Sequence, residues 1–245
     1  MMGICHNAGM TTLSDASLPR TARERARAEV LAELKEIGRR HLAESGSAAL
    51  SLRAVARQAG MVSSAVYRYF PSRDELLTAL IVDAYNALGA EVERADAGRK
   101  RSDIAGRWMA LCRAVRRWAL ANSHEYALIF GSPVPGYHAP QDTVDPASRT
   151  TLTLVSLLHD GIECDAITNT GGVVPGTVRK DLLGLNSFSG VDIPAAVMLR
   201  GLAAWTQLFG HVSFELFGQF TNLINDRDSF FEVQMKLIGQ HVIRG

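Results

Sequence analysis

With 245 residues, 47% of them hydrophobic, the chain can bury a sizeable core as one or two domains. Its net charge of +1 hides an asymmetry: residues 20–73 carry 11 Lys and Arg against 5 Asp and Glu, a net +6, while residues 74–245 carry 15 against 19, a net −4. A basic N-terminal quarter on a mildly acidic body points to a nucleic-acid contact confined to one part of the chain. The three cysteines, Cys5, Cys112 and Cys164, are far apart and have neither zinc-finger nor redox-motif spacing, which implies a reducing cytoplasm. No apolar run approaches the ~18 residues that span a membrane. Residues 1–19 lack the basic start and apolar centre of a signal peptide and read as a disordered tail.

The elements that follow are all helical. Thr21 and Glu24 have capping-box spacing, so a helix should start there. Ala26, Val30, Leu34 and Ile37 continue it at helical spacing, and Gly46 should end it. A short helix is expected over residues 52–59, with Ser51 as its N-cap and Gly60 as its breaker. Another is expected over residues 63–70, stopped by Pro71. Ser72 and Glu75 then cap a long helix reaching about residue 97. Further helices fall over residues 103–121, 123–131, 145–163, 194–220 and 227–242. The run "GSPVPGYHAP" reads as a rigid turn, and residues 166–193 as a long loop. The total is about nine helices and no strand.

The stretch "AVARQAGMVSSAVYRYF", residues 54–70, meets the steric demands of a helix-turn-helix. Ala56 is small enough for the second helix to cross it. Gly60 tolerates the positive φ of the turn. Val66 points back into the junction, and Val55, Met61 and Phe70 complete a small core. The outward face then carries Ser63, Ser64, Tyr67 and Arg68, short polar and donor groups suited to a major groove and its phosphates.

These residues resemble the DNA-binding domain of the TetR (tetracycline repressor) family. The resemblance covers about residues 23–84 and rests on Gly46, Leu50–Ser51, Val55–Ala56, Ala59–Gly60, the run Tyr67–Phe70, Ser72–Arg73 and Leu76–Leu77. It departs at Val62, where the family often has a serine that caps the recognition helix; Ser63 is the alternative cap. The resemblance implies an all-α homodimer that represses transcription and leaves its operator when a small molecule enters the C-terminal domain. Carried over by position, the DNA contacts are Arg53, Ser63, Ser64, Ala65, Tyr67, Arg68, Tyr69 and Arg73. Arg20, Arg23, Arg25 and Arg27 are further phosphate candidates. The implied organisation is a tail over residues 1–19, a three-helix DNA-binding domain over 20–84 and a helical ligand-binding and dimerisation domain over 85–245.

In the C-terminal body, Trp205, Leu208 and Gly210 resemble a Trp-x-x-Leu-x-Gly signature found in part of the family. Met198, Leu202, Trp205, Phe209, Val212 and Leu216 form a stripe of 3.5-residue period, flanked by the mostly small Leu199, Ala203, Thr206, Gly210, Ser213 and Phe217. With Phe231, Met235, Ile238 and Val242, these stripes predict a four-helix interface between two copies, built from residues 194–220 and 227–242. Aromatic and polar residues suited to an apolar ligand are Trp108, Cys112, Trp118, Phe130, Tyr137, His159, Trp205 and His211.

Two other functions compete. One is a constitutive DNA-binding dimer with no effector. The other is a metal-assisted hydrolase using His159 and Glu163 or His211 and Glu215. It lacks a nucleophile motif, and two ligands do not define a metal site. Neither a metal nor another cofactor is expected.

Overall fold

The structure, a computed structural model, describes residues 21–169 and 173–244. The expected tail, residues 1–19, lies outside the described residues. Ten α-helices and two short 3-10 turns account for the regular structure described, with no strand among them.

The N-terminal head is built from α1 (Ala22–Ser45), α2 (Leu52–Gln58), α3 (Ser63–Val66) and the first half of α4 (Arg73–Ala97). The capping box forms in full: the Glu24 amide donates to the Thr21 hydroxyl at 3.2 Å, and the Thr21 amide donates to the Glu24 carboxylate at 2.9 Å. Leu34 and Ile37 of α1, Val55 and Ala56 of α2, Val66 of α3 and Leu76, Leu77 and Leu80 of α4 meet in one core.

The helix α3 is shorter than the expected 63–70. Beyond Val66 the chain tightens into turns, with the Tyr69 amide donating to the Val66 carbonyl at 2.9 Å. Tyr67 and Arg68 thus project from a turn rather than from a helix body. Val62, not Ser63, occupies the N-cap position, and no side chain caps the helix.

The body contains the rest of α4, then α5 (Ile104–Ala121), α6 (Ser123–Phe130), α7 (Val144–Glu163), α8 (Gly176–Ser189), α9 (Ala195–Leu216) and α10 (Arg227–Arg244). Its core joins Ala84, Leu88 and Val92 of α4 to Trp108 and Leu111 of α5, Leu154 and Leu158 of α7, Met198 and Leu208 of α9, and Phe231 and Met235 of α10. The helix α4 runs unbroken through residue 84, serving the head with Leu76–Ile81 and the body from Ala84 onward. Close approach of α10 to α5 depends on Gly239, where a Cβ would lie 2.5 Å from the Trp108 ring.

The long loop expected over residues 166–193 is overturned by α8. Its signal is weak because Leu182 is its only buried side chain, while Val178, Leu183 and Phe188 stay exposed. A helix that buries one residue leaves little apolar periodicity to detect.

Candidate DNA-reading head and ligand cavity

The steric demands of the helix-turn-helix are met in the structure. Ala56 and Val66 are buried against each other's helices, and Gly60 has φ +64°. The Met61 amide closes the turn by donating to the Ala56 carbonyl at 2.9 Å. The exposed surface so formed carries Arg53, Ser63, Ser64, Tyr67 and Arg68, with Ala65 half-buried behind them. Val62 joins this surface at 71% exposure, an apolar group where the sequence suggests only a missing cap.

Two predicted contacts are occupied within the head. Arg73 donates to the Leu50 carbonyl at 3.1 Å and to the Ser47 carbonyl at 2.9 Å, and pairs with Asp74 at 3.1 Å. It therefore pins the start of α4 to the α1–α2 turn. Tyr69 is half-buried under the Arg27 guanidinium, which lies 5.1 Å from the ring centre.

Directly behind the head lies a cavity of about 660 Å³. Its walls come from Ile81 and Tyr85 of α4, Leu128 and Ile129 of α6, Val134 and Tyr137 of the following loop, a stripe of α7 from Val144 to Val155, and Leu185 and Phe188 of α8. Val134 and Ile81 also belong to the head's core. The Tyr137 and Thr78 hydroxyls share a hydrogen bond at 2.9 Å, tying the loop to α4. The Tyr85 hydroxyl donates to the Ile129 carbonyl at 3.3 Å, tying α6 to α4.

Of the eight ligand residues expected from sequence, Tyr137 lines this cavity and seven do not. Phe130 is half-buried behind the wall, packed against Tyr85, Tyr126 and Phe209. Trp108 is core, its indole N–H donating to the Met235 carbonyl at 2.8 Å. Cys112 is buried, and desolvation pushes its thiol well above the ordinary range. Trp118 is also core. His159 is half-buried on α7 away from the wall, and Trp205 packs on Phe209 with 4.9 Å between ring centres. Aromatics mark a ligand site in the sequence, whereas the wall is mostly aliphatic and hydroxylated.

His211 sits among Phe220, Phe230 and Phe231 and shares a hydrogen bond through Nδ1 with Gln234. Glu215 is held through both oxygens by Arg116, each at 2.7 Å, so this carboxylate is committed to an ion pair. No group of three metal-ligating side chains occurs among the described residues. Burial holds the His211 imidazole below its usual range, and Arg116 adds to that, against the opposing pull of Gln234 and Glu215. A depressed histidine contributes stability that is fully present above the unfolded pKa near ~6.5 and is lost as pH falls through it. Melting temperature should therefore drop on acidification from about pH 8 to about pH 5, and His211→Gln should flatten that drop.

The outer faces of α9 and α10 match only part of the stripes expected to form a dimer. Met198, Val212, Phe231, Met235, Ile238 and Val242 are filled within the chain's own core. The exposed apolar residues are Leu199 and Phe217 of the expected flanking stripe, with Phe214 on α9 and Val233 and Leu237 on α10. Ala203, Thr206 and Gly210 of the small stripe are exposed between them.

A protruding two-helix reader on an all-helical body defines a helix-turn-helix regulator. The family description "Bacterial regulatory proteins, tetR family" matches residues 36–80, and "Tetracyclin repressor-like, C-terminal domain" matches residues 108–238. The HTH-type transcriptional regulator Rv1816 of Mycobacterium tuberculosis is 40% identical over 222 residues, covering 88% of this chain and 93% of that protein. The HTH-type transcriptional repressor KstR of Mycolicibacterium smegmatis is 34% identical over 97 residues, covering 40% of this chain and 42% of that protein. The crystal structure of SCO4313 aligns with a TM-score of 0.74 at 36% identity, over 89% of this chain and 98% of that one. The chain belongs to the TetR family of transcriptional regulators, which are not enzymes. Among the described residues, no helix is long and apolar enough to cross a membrane.

Proposed function

We propose that the protein is a ligand-responsive repressor that binds a palindromic operator as a homodimer and leaves it when a small, largely apolar molecule fills the cavity behind the head. The observation that carries this reading is Val134, which is at once a wall of the cavity and part of the head's core. A molecule that displaces this wall changes the packing beneath α1 and α4, and so the position of α2 and α3. The domain assignment follows the same division: residues 20–84 read DNA, and residues 85–245 bind the effector and dimerise.

On the head, Arg53, Ser63, Ser64, Ala65, Tyr67 and Arg68 face the operator. Val62 adds an apolar surface of the kind that packs against thymine methyl groups. Arg73 and Tyr69 serve mainly by holding this surface in place. The exposed face of α9 and α10 supplies the dimer contact, and the dimer sets the two reading units about 34 Å apart, one turn of DNA. One partial relative bears the name repressor, which favours repression over activation.

Fluorescence anisotropy on DNA from upstream of the protein's own coding region, across a salt series, tests the DNA-binding half. Arg68→Ala should weaken specific binding by about 1–3 kcal/mol if the guanidinium meets a base edge. Equal binding to unrelated DNA that vanishes with salt would reduce the contact to phosphate attraction. For the dimer, Leu237→Glu should convert the species seen by light scattering to a monomer, because a charge at the centre of an apolar contact is left unpaired. A variant that stays dimeric would place the interface elsewhere.

A further inference from the structure

We propose that the cavity selects an uncharged effector, an apolar body bearing a hydroxyl or carbonyl oxygen, and rejects carboxylates and amines of the same shape. The inference rests on the reading of this cavity as the effector site.

Among the described residues, twenty line the cavity and none of them is Asp, Glu, Lys, Arg or His. A buried carboxylate or ammonium would find no counter-charge there, and an unpaired charge in an apolar site is strongly disfavoured. The wall does carry hydroxyls, but most already spend their hydrogen inside the chain. The Thr143, Ser148 and Ser189 hydroxyls donate to the carbonyls of Pro140, Asp145 and Asn186. Ser132, on the exposed loop, and two less exposed groups remain for a ligand. Thr151 is half-buried on α7, and its hydroxyl makes no hydrogen bond within the described residues. Tyr137 and Thr78 share one hydrogen bond between two hydroxyls, which leaves one hydrogen of the pair undirected. Both can meet a neutral oxygen as donor or acceptor. Neither neutralises an ion.

The neighbouring surface reinforces the exclusion of anions. Ser148, Leu152 and Phe188 also line an adjacent polar groove that contains Glu93, Asp96, Asp145 and Arg149. Among the described residues, Arg149 is the one cation lining that groove, and Glu93 holds it through two hydrogen bonds of 2.8 and 2.6 Å. Asp96 is committed to Arg107 and Arg101. A ligand carboxylate would thus meet an acidic rim whose only arginine is already paired. A ligand amine could approach Asp145 at the rim but would leave its charge outside the cavity.

The test is calorimetric titration of the full-length protein with a matched set on one ten-carbon chain: 1-decanol, 2-decanone, decanoate and decylamine, at about pH 8, where the last two are ionised. The alcohol and ketone should bind at least about tenfold more tightly than either ion. Thr151→Val and Tyr137→Phe should each weaken the alcohol several-fold. Ala147→Trp, and independently Leu152→Trp, should abolish binding by filling the space; a folded melting transition for either one suffices as the control. Decanoate or decylamine binding as tightly as the alcohol, and lost on filling the cavity, would overturn the selectivity while leaving the effector site intact. Binding of none of the four, or binding indifferent to the filled cavity, would overturn both.

Discussion

Arg107→Met should destabilise the fold by about 3–5 kcal/mol, among the largest losses available to a single substitution in this chain. Arg107 is fully buried at 0% exposure. Its guanidinium donates to both oxygens of Asp96, at 2.7 and 3.1 Å, to Asp160 at 2.8 Å and to the Arg101 carbonyl at 3.1 Å. Those partners lie at the end of α4, on the connector and on α7, so one side chain ties three segments to α5. Removing it leaves Asp96 buried with Arg101 alone, itself more than half exposed. The cost is that of an uncompensated charge rather than of a lost contact. In a chain of this size the loss should appear as a fall in melting temperature of about 10 °C. Removing both charges together, as Arg107→Met with Asp96→Leu, should recover much of it, because the buried carboxylate goes with its partner and Asp160 keeps Arg101 at 2.6 Å. A drop of under about 1 kcal/mol for the single variant would mean that water reaches Asp96 and that the network is ornamental to stability.

Nothing in the sequence singles out Arg107. It stands between Gly106 and Trp108 in a run whose aromatic residues draw the attention, and a buried arginine looks like a surface one until its partners, 11 and 53 positions away, are known. The reading motif is the opposite case. Ala56, Gly60 and Val66 lie within eleven positions, and each is dictated by a local steric demand, so sequence alone places the turn, the buried junction and the exposed polar face. The face of α10 fell between these extremes. Phe231, Met235, Ile238 and Val242 form a sound apolar stripe, but periodicity says only that a stripe is covered, not by which neighbour. Here α5 and α9 cover it, and the exposed residues Val233 and Leu237 are too few to register as a stripe. The cavity was least legible. Its wall combines α4, α6, α7, α8 and a proline-rich loop, and its residues are ordinary aliphatics and hydroxyls whose only distinction is that they do not touch across the middle.

The proposed coupling between that cavity and the head can be tested without an effector in hand. Ala147→Trp places a large side chain where a ligand would lie, so it should mimic the bound state and weaken operator binding by roughly 5–150-fold, the usual span of an allosteric coupling. The route runs through Val134. This residue is buried in the head's core beside the α4 residues that also support α2 and α3, and the loop bearing it is fastened to α4 by the Tyr137–Thr78 hydrogen bond. Pressure on the wall must therefore be relieved by moving α4 or by emptying the space Val134 fills. Val134→Ala provides that second way out. Alone, it should change operator affinity only slightly, since it removes two methyl groups at the margin of the head. Combined with Ala147→Trp, it should restore much of the lost affinity, giving a favourable interaction energy in the double-mutant cycle. Anisotropy titrations of the four proteins, at one salt concentration and with melting curves to establish folding, read the cycle directly. A filled cavity that leaves operator affinity unchanged would uncouple this site from DNA binding. A loss that Val134→Ala does not relieve would keep the coupling but route it through Ile81 and α4 alone.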